Sequence, residues 1–197
     1  MIGPTGSGKT PVGQLFEQKG FHDKTCVHFD FGAELRKIAD MEKQTNVLDC
    51  KEKKVVQKVL LEGALLEDHQ FSIAYKILVN FAQEKHYMQN HVLILNGLPR
   101  HEGQAESMSR FATIQQIIYL ACTPDVIFAR IHNNTGGDRT ERTDDSISKI
   151  KTKLELFKKR TVRLLDWYKK KNVPILKIDI ESNTSPQETY DRILGML

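Results

Sequence analysis

Gly3-Pro4-Thr5-Gly6-Ser7-Gly8-Lys9-Thr10 has the pattern Gly-x-x-x-x-Gly-Lys-Thr, a spacing that builds a cradle for phosphate. Glycines let successive backbone N–H groups turn into one concavity, where they grip phosphate oxygens. A helix starting at the end of the loop turns its positive end to the same anion. Lys9 adds a full charge near the β/γ-phosphates, and the Thr10 hydroxyl is an oxygen ligand for Mg²⁺. Gly3, Thr5, Gly6, Ser7, Gly8, Lys9 and Thr10 are therefore expected to hold the phosphates of a nucleoside triphosphate, with Thr10 as the metal ligand.

Other cations sit where phosphate can be reached. Arg36 follows Gly32 in a helical pattern, and Arg100 closes the turn Asn96-Gly97-Leu98-Pro99-Arg100. That turn follows the apolar run Val92–Leu95, so Arg100 falls at the C-terminal end of a buried strand, where open α/β sheets bind ligands. A planar guanidinium can grip phosphate with two parallel hydrogen bonds. Arg139 and Arg142 lie on a stretch from His132 to Thr143 with almost no large apolar residue. A stretch of that composition builds no core and reads as an exposed functional loop. Asp144 and Asp145 follow, able to cap a helix or to pair with arginines.

The elements that must position these residues alternate. Helical periodicity covers 10–19, a segment opened by Gly32, 51–61, 67–84, 103–111 and 124–132. A long helix after Asp144 carries the apolar stripe Ile147, Ile150, Leu154, Phe157, Leu164, Leu165 and Tyr168, and a last helix starts at Pro186 and runs through Ile193. Strand signals fall at 25–29, 92–95, 114–121 and 174–178. Strands alternating with helices imply a parallel sheet with helices on both faces. One domain suits the 197 residues.

The formal net charge is only +4 and the basic residues are dispersed, so small anions account for the excess, without the basic stripe of a nucleic-acid binder. Cys26, Cys50 and Cys122 are odd in number and far apart, which supports neither a zinc ribbon nor a disulfide framework. No apolar run is long enough to cross a bilayer. The chain is expected to be cytoplasmic, monomeric and free of nucleic-acid and membrane partners.

In order, these segments resemble the adenylate kinase family of nucleoside monophosphate kinases over nearly the whole chain. Gly32-Ala33-Glu34-Leu35-Arg36 resembles the segment whose arginine holds the monophosphate. Gly63-Ala64-Leu65-Leu66 resembles the turn that borders the acceptor base. Asn96-Gly97-Leu98-Pro99-Arg100 with Gln104 resembles the family's Asp-Gly-Phe-Pro-Arg segment and its base-reading glutamine. Arg130 matches the arginine beside the ATP base, and Arg142 with Asp144 and Asp145 the end of a short lid that lacks the zinc-binding cysteines. The resemblance implies a P-loop NTPase-type α/β fold as one domain over 1–197, with an NMP-binding flap at 33–66 and a lid at 132–143. It implies transfer of a phosphoryl group from ATP to a nucleoside monophosphate, AMP first, with Mg²⁺. Lys9, Arg100, Arg142 and Lys153 would be catalytic; Arg130 and Arg139 would border ATP; Gly32, Arg36, Leu65, Leu66, Gly97, Arg100 and Gln104 would bind the acceptor. The alternatives are a P-loop kinase for another small acceptor, or a nucleotide-binding protein with little catalysis.

Four residues depart from the pattern. Asn96 replaces an aspartate that orients water on Mg²⁺, and Phe31 replaces a threonine at the acceptor base. Lys153 replaces a second lid-side arginine, keeping charge but losing the planar fork. Asn134 stands where an arginine is usual, with Arg139 as the candidate to compensate. Only Met1 and Ile2 precede the loop, where the family's central first strand should stand, between the strands at Val92 and Ile114. The natural protein is expected to carry further apolar residues ahead of Met1.

Overall fold

The computed structural model describes residues 1–40, 47–140 and 146–197. The elements run α1 (Lys9–Lys19), β1 (Cys26–Asp30), α2 (Phe31–Asp40), α3 (Cys50–Glu62), α4 (Phe71–Glu84), β2 (Val92–Asn96), α5 (Glu102–Met108) and β3 (Ile117–Ala121). They continue with α6 (Pro124–His132), α7 (Ile147–Leu156), α8 (Arg163–Lys170), β4 (Ile175–Asp179) and α9 (Pro186–Met196). Strands thus alternate with helices as the periodicity requires.

The strands form two parallel pairs. β1 lies against β2 in the register Cys26↔Val92 through Asp30↔Asn96. β3 lies against β4 from Ile117↔Ile175 to Ala121↔Asp179. Met1 and Ile2 stand between them. The Met1 terminal nitrogen donates to Leu95 O, Ile2 N to Ile118 O at 2.8 Å and Leu120 N to Ile2 O at 2.8 Å. These two residues occupy the lane expected for the first strand, and their backbone groups meet partners on both sides, as buried backbone requires.

Successive strand residues face opposite layers. Cys26 and Ile94 pack with Val12 and Phe16 of α1 and Tyr190 and Ile193 of α9. Val27, Phe29 and Leu95 pack on the other side with Ile77, Leu78 and Phe81 of α4. A third cluster joins Ile2 and Ile117 to Ala105, Phe157, Leu164 and Tyr168.

Several boundaries differ from expectation for visible reasons. β1 continues through Asp30, which is paired with Asn96 and not part of a turn. The segment expected as one helix over 67–84 begins as a 3₁₀ turn, Asp68–Gln70, closed by a reciprocal Glu67–Gln70 capping box. The long C-terminal helix is interrupted by a π-type turn at Phe157–Thr161. Its start is capped by Ser146, whose hydroxyl accepts from Lys149 N; Arg142, Asp144 and Asp145 lie outside the described residues. Ile147 does not join the core stripe. It is 66% exposed at the first turn of α7, whereas Ile150 is buried.

Candidate active site

The phosphate loop owes its shape to glycines where side chains are barred. Gly6 and Gly8 have φ of 80° and 92°, in the left-handed region that residues with Cβ avoid. A Cβ on Gly3 would lie 2.7 Å from Ser7 Oγ and 2.9 Å from Leu120 O, so the loop starts flush against β3. α1 begins directly after Gly8 with no side-chain cap, which leaves its first N–H groups for an anion.

Lys9 sits folded into this loop, its Nζ donating to Pro4 O at 2.7 Å. Burial, then the nearby charges of Arg100 and Arg139, push its ammonium down to about 7, against the opposing pull of Asp30. Lys9 from the loop, Arg100 from the turn after β2 and Arg139 from the 132–140 stretch are thus within electrostatic reach: both arginines act on the Lys9 ammonium. Like charges within electrostatic reach of one another favour the binding of an anion.

At the mouth of the loop, β1 and β2 end in a polar cluster that the sequence reading missed in part. Thr10 Oγ1 donates to Asp30 Oδ2. Asn96 Nδ2 donates to the same Oδ2 at 2.8 Å and lies 3.3 Å from Thr10 Oγ1. Asp30 Oδ1 accepts from Ala33 N at 3.0 Å, starting α2. Burial alone would raise the Asp30 carboxyl. The Thr10 hydroxyl, the Ala33 N–H and the charges of His28 and Arg36 outweigh it and hold the group below the ordinary aspartate range. The available signal was a carboxylate directly after a strand and six residues before Arg36.

Mg²⁺ takes hard oxygen donors and keeps several waters when it arrives on nucleotide phosphates. Thr10 Oγ1 beside the Asp30 carboxylate is a donor set of that kind, so the residues present fit the metal.

The segments expected to bind the acceptor are tied together at the turn that carries Arg100. Leu65 and Leu66 are buried. Leu66 O accepts from Gln104 Nε2 at 2.9 Å and faces His101 Nε2 at 2.9 Å. Gln104 Oε1 accepts from Arg100 N at 2.8 Å. Gln104 is thus fully buried with both ends of its amide engaged by backbone, fixing the turn that carries Arg100 against the 65–66 segment. The π-type turn adds a second support, because Thr161 Oγ1 donates to Arg100 O at 2.8 Å. Beside it, Arg160 grips Glu67 with two bonds of 2.6 and 2.9 Å. Arg36 folds back toward the end of β1, where its Nη1 comes within 3.5 Å of a Cβ placed on Gly32. The Phe31 ring is 3% exposed and stacks on Phe29; it fills the core and not an open base pocket. Gly97, φ 79°, makes the turn after β2.

Arg130 behaves differently from the other arginines. It is 3% exposed. Its Nε donates to Gly6 O at 3.1 Å and its Nη1 to Glu181 O at 2.8 Å and Thr184 O at 2.7 Å. It binds the phosphate loop to the segment after β4. Asn134 also has a structural task. At φ 48° it accepts from Arg139 N at 3.1 Å and donates to Thr140 Oγ1 at 3.1 Å. Arg139 is held at 10% side-chain exposure beside Asp138. Lys153 is half-buried on α7.

The glycine loop, the parallel strands behind it and the cations around it define a P-loop nucleotide-binding protein. A sequence model described as adenylate kinase matches residues 1–173. The adenylate kinase of Buchnera aphidicola subsp. Cinara cedri is 33% identical over 219 residues, covering 98% of this chain and 94% of that relative. The adenylate kinase of Mesoplasma florum is 26% identical over 228 residues, covering 100% and 98%. The UMP-CMP kinase 1 of Oryza sativa subsp. japonica is 24% identical over 196 residues, covering 98% and 70%. The chain belongs to the adenylate kinase family. Among the described residues, no helix is long and apolar enough to cross a membrane.

Proposed function

We propose that this chain transfers a phosphoryl group from ATP to a nucleoside monophosphate, AMP first, giving ADP and a nucleoside diphosphate. The observation that supports the reading is the glycine loop itself, flush against β3 with Lys9 folded into it, and a Lys9 ammonium that feels the charges of Arg100 and Arg139. Transfer of this kind asks for alignment and charge neutralisation more than for covalent chemistry.

In this reading the loop N–H groups and Lys9 hold the donor phosphates, and Arg130 stands beneath them on the ATP side. Arg36 and Arg100 hold the acceptor phosphate, while Gly32, Leu65, Leu66, Gly97 and Gln104 shape the acceptor pocket. Arg139, with Arg142 and Lys153, neutralises charge on the moving group as residues 132–143 close and exclude water. Residues 33–66 act as the acceptor flap. Thr10 Oγ1 would be the protein ligand for Mg²⁺ carried on the nucleotide, which would add neutralising charge. The protein works as a monomer in the cytoplasm.

The test is ADP production from ATP with AMP, GMP, CMP, UMP and dTMP offered separately. Turnover strongest with AMP is the expected result. Tight ATP binding without turnover on any of the five would sink the proposal, and turnover strongest with UMP or CMP would move the acceptor.

A further inference from the structure

We infer that Asp30 supplies the carboxylate that positions Mg²⁺ on the donor nucleotide, on the strand next to the one that ends in Asn96. The inference rests on the phosphotransferase reading above and concerns how this chain meets the metal that reading requires.

Asn96 ends β2 with an amide and no negative charge. Directly opposite it in register, β1 ends in Asp30. The two oxygens of Asp30 are divided between two tasks. Oδ1 accepts from Ala33 N and caps α2. Oδ2 faces the loop mouth and accepts from both Thr10 Oγ1 and Asn96 Nδ2. The Thr10 bond matters for direction. A hydroxyl that ligates a cation must turn its lone pairs to the metal and its proton elsewhere. Asp30 Oδ2 takes that proton, so the oxygen of Thr10 is aimed and made more electron-rich, as acceptors behind metal ligands generally do. Asn96, itself 3% exposed, holds Oδ2 in place from the other strand. Asp30 is also within electrostatic reach of Lys9, Arg36 and Arg100, the cations that the proposed function assigns to the donor and acceptor phosphates.

The competing account is that Asp30 is only a helix cap. Asp30→Ser separates the two, because serine keeps a capping oxygen and removes the charge. Asn96→Asp in the same chain returns a carboxylate one strand away. The readout is Mn²⁺ affinity for the intact protein bound to AMP-PNP, followed by electron paramagnetic resonance, with AMP-PNP affinity in EDTA measured alongside. Asp30→Ser is expected to weaken Mn²⁺ binding about 10–100-fold while AMP-PNP binding in EDTA is retained, and Asp30→Ser/Asn96→Asp is expected to recover most of the loss. Asp30→Asn, which keeps the cap and the shape, is expected to show the same loss if the serine variant does not fold. Parent-like Mn²⁺ affinity in Asp30→Asn or a folded Asp30→Ser, with only the melting temperature lowered, overturns the inference; so does a double variant as weak as Asp30→Ser. Because metal is read on bound nucleotide without turnover, a protein that phosphorylates no monophosphate refutes the function and leaves this result interpretable.

Discussion

At the ends of β1 and β2, side chains answer side chains: Thr10 and Asn96 both donate to Asp30. Beyond the ends of β3 and β4, a buried arginine answers backbone, Arg130 spanning Gly6, Glu181 and Thr184 carbonyls. The two arrangements have different consequences. Backbone carbonyls do not change rotamer or charge, so Arg130 fixes the loop in one place. A hydroxyl, an amide and a carboxylate can exchange partners when phosphate and metal arrive, so the first edge is the responsive one. The proposed function assigns Arg100 to chemistry, whereas the carbonyls that Arg130 binds put it on the scaffold side.

The largest effect is expected at the loop. Lys9→Met should lower kcat by about 10³-fold in steady-state assays, while the melting temperature stays near the parent's because the substitution removes a buried charge. The paired substitutions come next and test the comparison itself. Arg100→Ala should lower kcat/KM by about 10²–10³-fold with a nearly unchanged urea midpoint. Arg130→Ala should instead cost about 3 kcal/mol in urea unfolding, since it strands three carbonyls that now accept from a charged donor. Equal stability losses in the two variants would break the division between scaffold and chemistry.

A smaller effect concerns protons. The Lys9 ammonium is held down to about 7 in the ligand-free protein, and polyphosphate favours its charged form. ATP binding should therefore draw more protons onto the protein at pH 8 than at pH 6, measured by calorimetry in buffers of different ionisation enthalpy. Equal uptake at both pH values would place Lys9 outside the phosphate cluster. The smallest effect is on acid stability. His28 is buried against α1, so that a Cβ on Gly13 would lie 2.2 Å from its Nε2, and burial lowers its pKa below the ordinary 6.5. The unfolded chain takes up the proton first, so the stability that His28 contributes is present above pH 6.5 and is lost as pH falls below it. His28→Leu should flatten the urea midpoint between pH 7.5 and 5.5; an unchanged slope would assign the acid sensitivity to other groups.

Much of this was legible in the sequence because local chemistry set it. Gly6 and Gly8 announce a loop that only glycine can make, and Val92–Leu95 announces a strand buried on both faces. Asp30 was not legible as a site residue because its meaning comes from register. An aspartate after an apolar run reads as the start of a turn, and only pairing with Asn96 extends β1 to include it. The π-type turn at Phe157–Thr161 has no composition of its own, yet it sets Thr161 beneath Arg100. Asn134 reads as a missing charge; the fold uses its tolerance of left-handed backbone and its amide to hold Arg139 and Thr140. Phe31 reads as a change in the base pocket, and its ring turns into the core instead.

The central claim is that one site moves the γ-phosphoryl of ATP onto a nucleoside monophosphate under the charges of Lys9 and Arg100. Incubation with γ-³²P-labelled ATP, AMP and Mg²⁺, followed by separation of the products, tests it most directly. Label is expected in the β-phosphate of ADP, formed only when AMP is present and absent with Lys9→Met. Label appearing only as inorganic phosphate, or at the same rate in Lys9→Met, would contradict it.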